Sequence, residues 1–158
     1  MIDLTFNNFV RSKKYTRKFF ERIINTSIKE LGLKPNLGLS INLVGLAKIK
    51  FLNKRHRSKN TATDVLSFPV QSSVINKILD VNKKSRDILE LGDIFICLEV
   101  AKKKVIESGH TLDKEASFLV VHGILHLLGY DHEQSKKMKQ EMFRLQDKIL
   151  KKLMANSG

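Results

Sequence analysis

The chain has 158 residues, with 29 Lys and Arg against 16 Asp and Glu, a formal net charge of +13. An apolar share of 42% excludes a disordered tail, and no run nears the roughly 18 uninterrupted apolar residues of a membrane-crossing helix. Cys97 is the single cysteine, which excludes an internal disulfide framework and a cysteine zinc knuckle. The expectation is one globular domain over residues 1–158, soluble and cytoplasmic, since Met1–Phe6 alternates like a strand and lacks a secretory layout. The positive charge favours a polyanionic partner. It is spread over early (Arg11–Lys18), central (Lys48–Lys59) and late (Lys136–Lys152) clusters, which suits nucleic acid better than an amphipathic membrane anchor.

Ile2, Leu4 and Phe6 alternate, so the chain opens with a strand. A helical pattern runs from about Lys13 to Leu31, with Phe19, Ile23, Ile24 and Ile28 on one face and Gly32 as its stop. Leu37–Val44 alternates again as a second strand. Leu46 to about Arg55 is helical, and Val65–Val70 is a third strand closed by Pro69, which suits a sheet edge. Residues 71–90, with scattered apolar side chains among Asn, Lys and Ser, are expected to be a mobile excursion. A fourth strand follows at Ile94–Leu98, entered through Gly92-Asp93, then a helix over Glu99–Glu107 that Gly109 ends. Thr111 or Asp113 caps the next helix, apolar almost all round, which continues to Leu128. A charged helix over about Gln134–Met154 closes the chain. This order predicts an α+β (mixed α/β) fold, a small four-stranded sheet packed with about five helices.

The chemistry gathers in the apolar helix. His122 and His126 are four residues apart, hence about 40° around the axis and about 6 Å along it, close enough to share one metal ion. Gly129 permits an abrupt stop, after which the chain can bring His132 to the same point. Three imidazoles and an open coordination position make a catalytic zinc arrangement. A pair of core histidines bonded to carbonyls is the alternative. The third His after a glycine stop, and the cost of burying polar rings without partners, favour the metal. Three imidazoles also accept nickel, iron or copper.

The spacing H-x3-H-x5-H with an intervening glycine matches the metzincin peptidase layout, except that the peptidase glutamate is Gly123 here. Glu115 lies about two turns earlier, roughly 10 Å along the helix, and Glu133 follows the third His. Without an adjacent carboxylate a peptidase is disfavoured. Metal-activated water remains available, because zinc lowers the pKa of water without a side-chain base.

The stretch Val121-His122-Gly123-Ile124-Leu125-His126-Leu127-Leu128-Gly129-Tyr130-Asp131-His132 resembles the signature of the YbeY family of metal-dependent endoribonucleases. Leu52-Asn53, Arg57 and Thr63-Asp64-Val65-Leu66-Ser67-Phe68-Pro69 resemble its second block, and Leu91-Gly92-Asp93-Ile94 its third. The resemblance covers about residues 40–135. It departs from the family at Ser58-Lys59-Asn60-Thr61-Ala62, where Gly, Asp and Pro are common.

The resemblance implies that His122, His126 and His132 hold one Zn2+ ion and that Arg57 is needed for catalysis in the same cleft. It implies a single-strand-specific endoribonuclease acting in ribosomal RNA processing, at the 3′ end of 16S rRNA, and in ribosome quality control. Single-stranded rRNA and the small ribosomal subunit are the implied partners, with no membrane and no DNA. The guanidinium of Arg57 suits a phosphate and the charge of a phosphorane. Asp131 can orient an imidazole or cap the last helix. Thr63 and Asp64 are read as stabilising the turn into the strand, Ser67 as meeting substrate or solvent, and His56 and His110 as surface residues. The rival functions are a metallopeptidase-like hydrolase and a non-catalytic ribosome-assembly factor with a structural metal.

Overall fold

The computed structural model describes residues 2–34, 36–70, 88–130 and 135–156. Among them are four strands, β1 (Ile2–Asn8), β2 (Leu37–Leu43), β3 (Val65–Pro69) and β4 (Leu89–Ile96), and five helices. The helices are α1 (Arg17–Glu30), α2 (Leu46–Arg57), α3 (Leu98–Ser108), α4 (Leu112–Leu127) and α5 (Lys136–Ala155). This is the α+β arrangement expected from the pattern of elements. The strands form one mixed sheet in the order β1-β2-β4-β3. β1, β2 and β4 are parallel, and β3 joins β4 antiparallel as an edge strand, which is where Pro69 is tolerated.

β2 is buried along its whole length, the signature of a central strand covered on both faces. Paired side chains on adjacent strands share a face. Ser67 with Ile94, and Val65 with Ile96, therefore face one side; Leu66 with Phe95 faces the other. The first face carries the large core, in which Phe20, Ile23 and Ile24 of α1 meet Ile41, Ile94, Val120, Ile124 and Ile149. Each such fully buried side chain stabilises the fold by about 1.5–3 kcal/mol relative to exposure. α2 covers part of the second face, where Ile49 and Leu52 join Leu66, Phe68 and Phe95.

Local signals set most of the boundaries. Thr111 Oγ1 accepts from Lys114 N–H at 3.2 Å to cap α4, and Ser135 Oγ accepts from Met138 N–H at 3.1 Å to cap α5. Gly109 ends α3 with φ 75. The first helix starts later than expected, at Arg17. Asn8 and Ser12 exchange hydrogen bonds and Ser12 Oγ accepts from Tyr15 N–H, which holds residues 12–15 in a turn instead. β4 starts earlier than expected. Leu89 N–H donates to Asn36 O at 2.8 Å and Leu89 pairs with Leu37, so Leu89 and Glu90 belong to the sheet and not to an excursion. Residues 71–87, the rest of that expected excursion, lie outside the described residues. Gly92 lies within β4, just past a register shift, not at the entry to a strand. At φ 139, a Cβ there would stand 2.2 Å from Phe68 O, so only glycine lets β3 close on β4.

Candidate functional site

α4 is the apolar helix at the centre of the main core, and it presents His122 and His126 along one line. The two rings meet as the four-residue spacing requires. Their Nε2 atoms lie 2.9 Å apart and their centroids 4.4 Å apart. Both side chains are half-buried. Phe118, one turn earlier, stacks on the His122 ring with centroids 5.7 Å apart and planes 23° apart.

The other nitrogen of His122 is also engaged. Its Nδ1 stands 2.7 Å from Oε1 of Gln146, a side chain 2% exposed on α5. The amide oxygen accepts, so Nδ1 carries the proton and Nε2 turns its lone pair toward His126. An outer partner that fixes tautomer and ring orientation is a standard companion of a metal-ligating imidazole. The donor set thus fits a borderline transition-metal ion: two converging imidazole nitrogens, one of them oriented from behind.

Gln146 did not emerge from the sequence pattern, although a signal was present. It falls in the buried series Met142, Leu145, Gln146, Ile149, Leu153 of α5, one amide in an otherwise apolar stripe. A buried amide in such a stripe needs a polar partner, and His122 is that partner.

His132, Asp131 and Glu133 lie outside the described residues. Among the described residues no three metal-ligating side chains gather at one point. Arg57 is exposed at the end of α2, and α2 packs on the face of β3 and β4 opposite the one α4 meets. The structure therefore brings His122 and His126 together. Arg57 stands at the end of α2, on the opposite face of the edge strand.

Gly123 shows why no peptidase glutamate stands beside His122. A Cβ there would lie 2.9 Å from Ile94 Cδ1 and 3.1 Å from Ser67 Oγ. The position faces the sheet, and its missing side chain lets α4 lie against β3 and β4. Ser67 is accordingly packed against α4. Glu115 is half-buried near Asp64, Lys104 and His110, and burial pushes its carboxyl up from the usual range. Asp64 ties the start of β3 to its neighbours: its carbonyl accepts from Cys97 N–H at 2.8 Å and its carboxylate takes the Lys104 ammonium at 2.5 Å. His110 is exposed as read. His56 is exposed too, but its ring packs on Phe68 with centroids 4.7 Å apart.

The family described as Endoribonuclease YbeY matches residues 4–154. A protein of that name from Mesoplasma florum is 40% identical over 152 residues, 96% of this chain and 86% of its own length. Another from Sulfurihydrogenibium is 43% identical over 147 residues, covering 93% of this chain and 90% of its own. The solution structure of TM1509 from Thermotoga maritima superposes with a TM-score of 0.66 at 29% identity, over 99% of this chain and 91% of that one. With a match that runs nearly end to end and relatives this similar over most of their lengths, the chain belongs to the YbeY endoribonuclease family.

Proposed function

We propose that this chain is a metal-dependent endoribonuclease that cuts single-stranded RNA during ribosomal RNA processing, at the 3′ end of 16S rRNA. In this reading residues 1–158 are one domain working in the cytoplasm on the small ribosomal subunit, in maturation and quality control, with neither DNA nor membrane as target. Its metal is zinc, held by His122, His126 and His132. The observation that carries the reading is the convergence of His122 and His126 Nε2 at 2.9 Å, in a chain of an endoribonuclease family.

The chemistry a divalent cation supplies when bound there is Lewis acidity toward water and toward a phosphoryl oxygen. The chain's own groups do the rest. Gln146 holds His122 in the tautomer that leaves Nε2 as a donor atom. Arg57 donates N–H bonds to phosphate oxygens and stabilises the charge that accumulates as water adds to phosphorus. The lysines and arginine of the α2 end (Lys54, Arg55, Lys59) hold the flanking backbone. With glycine at 123, the helix position next to His122 offers no carboxylate to take the proton from water.

The test is incubation of purified protein with labelled single-stranded and duplex RNA, with and without chelator, beside His126→Ala and Arg57→Ala. Cutting of the single strand that is lost on chelation and in both variants, with unchanged circular dichroism, supports the reading. Intact RNA in the presence of zinc or manganese, together with unfolding on chelation, would favour a scaffold with a structural metal.

A further inference from the structure

The second face of the sheet carries aromatic side chains that catalysis at the histidines does not use. Phe95 on β4 meets Phe68 on β3 edge-on, with centroids 5.7 Å apart and planes 67° apart. Phe68 in turn carries the exposed ring of His56, 4.7 Å away at 53°. The three rings form a ladder that climbs from the sheet to the end of α2, and its outermost member immediately precedes Arg57.

The surroundings are cationic. The last turn of α2 is Lys54, Arg55, His56, Arg57, and no Asp or Glu occurs between Leu46 and Ala62. Basic residues at a helix C-terminus also answer the helix dipole, but that does not account for an exposed imidazole packed on a phenyl ring. The chain beyond Arg57 is fixed as well. Ser58 turns it back in the left-handed region, Lys59 N–H donates to Asn53 O at 3.3 Å, and buried Asn53 donates through Nδ2 to Thr61 O at 2.9 Å. The carboxylate opposite Phe68 in register, Asp93, takes the Ser40 hydroxyl at 2.5 Å. By that register Asp93 shares the face of Phe68, with its carboxylate engaged by β2.

We propose that His56, backed by Phe68, is a stacking platform for an unpaired base of the RNA substrate, with Arg55 and Lys59 holding the adjoining phosphates. The inference rests on the endoribonuclease reading above and deepens it. The strand reaches the histidine pair on one face of β3 and leaves a base stacked on the other, passing over the edge strand. Aromatic side chains within a cationic groove are the usual means of holding single strands without reading sequence. A duplex keeps its bases stacked inside and cannot use such a platform. The arrangement thus supplies a physical source for single-strand preference.

The test is equilibrium binding by fluorescence anisotropy, in chelator so that nothing is cut, with a short fluorescein-labelled oligoadenylate and a blunt RNA duplex as probes. His56→Ala is expected to weaken single-strand binding about fivefold or more, while His56→Phe restores it and neither changes duplex binding. Lys59→Ala, a loss of charge alone, weakens both probes alike. In cleavage assays with metal, His56→Ala raises KM and leaves kcat near the parent value. The proposal is overturned if His56→Ala leaves oligoadenylate affinity unchanged, if His56→Phe loses as much as His56→Ala, or if the duplex loses in proportion. His56 is exposed, and matching thermal unfolding of parent and variants confirms that folding is not being read. A parent protein that binds the oligoadenylate through His56 but cuts no RNA with zinc or manganese would sink the nuclease reading and leave the platform standing.

Discussion

Replacing Gln146 by Leu isolates the contribution of the amide behind the first histidine. The side chain is 2% exposed and its oxygen accepts the 2.7 Å bond from His122 Nδ1. Leucine is similar in size and removes the acceptor. Two consequences follow. The Nδ1–H loses its partner in a half-buried setting, costing about 1–3 kcal/mol of stability. For a chain of this length that lowers Tm by roughly 2–4 °C per kcal/mol. The imidazole also loses the contact that selects its tautomer, which weakens metal affinity by about 10–100-fold, equivalent to roughly 1.4–2.7 kcal/mol. The assay is zinc competition against a chromophoric chelator, paired with thermal unfolding of the metal-free protein. Gln146→Glu keeps an acceptor oxygen and adds negative charge, so its affinity should stay at or above that of the parent. Zinc affinity of Gln146→Leu within about twofold of the parent, where the outer-partner argument requires at least tenfold, would refute the reasoning. So would equal losses in the Leu and Glu variants.

Three further outcomes are expected. Ser58 closes α2 at φ 56, so Ser58→Gly should stabilise the protein by about 0.5–1 kcal/mol through relief of a left-handed non-glycine residue; a lower urea midpoint would contradict this. Gly92→Ala places a Cβ 2.2 Å from Phe68 O and 2.9 Å from Pro69 Cα at φ 139, and should cost about 3 kcal/mol or more. Faster hydrogen exchange along β3 would accompany it. Tyr15 is 4% exposed and donates to Asp113 at 2.7 Å; burial, with the Asp113 hydrogen bond and charge, pushes its phenol pKa well above the ordinary value. An acid kept neutral by the fold contributes stability below its unfolded pKa, near 10.0, and loses it as the pH rises beyond that value toward the folded pKa. Tyr15→Phe should therefore flatten the alkaline limb of the stability curve above that pH, and an unchanged limb would refute the assignment.

Much of the site was legible because its geometry is local. A helix with 3.6 residues per turn places the rings of His122 and His126 together whatever surrounds it, and their Nε2 atoms do converge at 2.9 Å. The helix cap at Thr111, the stop at Gly109 and the edge position of Pro69 are likewise short-range matters. The pattern reached its limit where neighbours are distant along the chain. Gln146 lies 24 residues beyond His122, and nothing in its own helix names its partner. Leu89 is part of a strand only because Leu37 and Asn36 stand beside it, so its polar context read as loop. His56 looked like a surface residue because Phe68, on another element, is what gives its ring a backing.

The amino-acid order by itself determined the element types and the helical histidine pair, which depend on spacing within one or two turns, and the cationic excess and family signature, which need no packing to be read. The tertiary structure alone decided the strand order β1-β2-β4-β3, the seating of Gly123 against Ser67 and Ile94, and the placement of α2 and α4 on opposite faces of the edge strand. Those depend on which buried surfaces pack together across the whole chain. Packing complementarity is settled only when all the elements compete for one core.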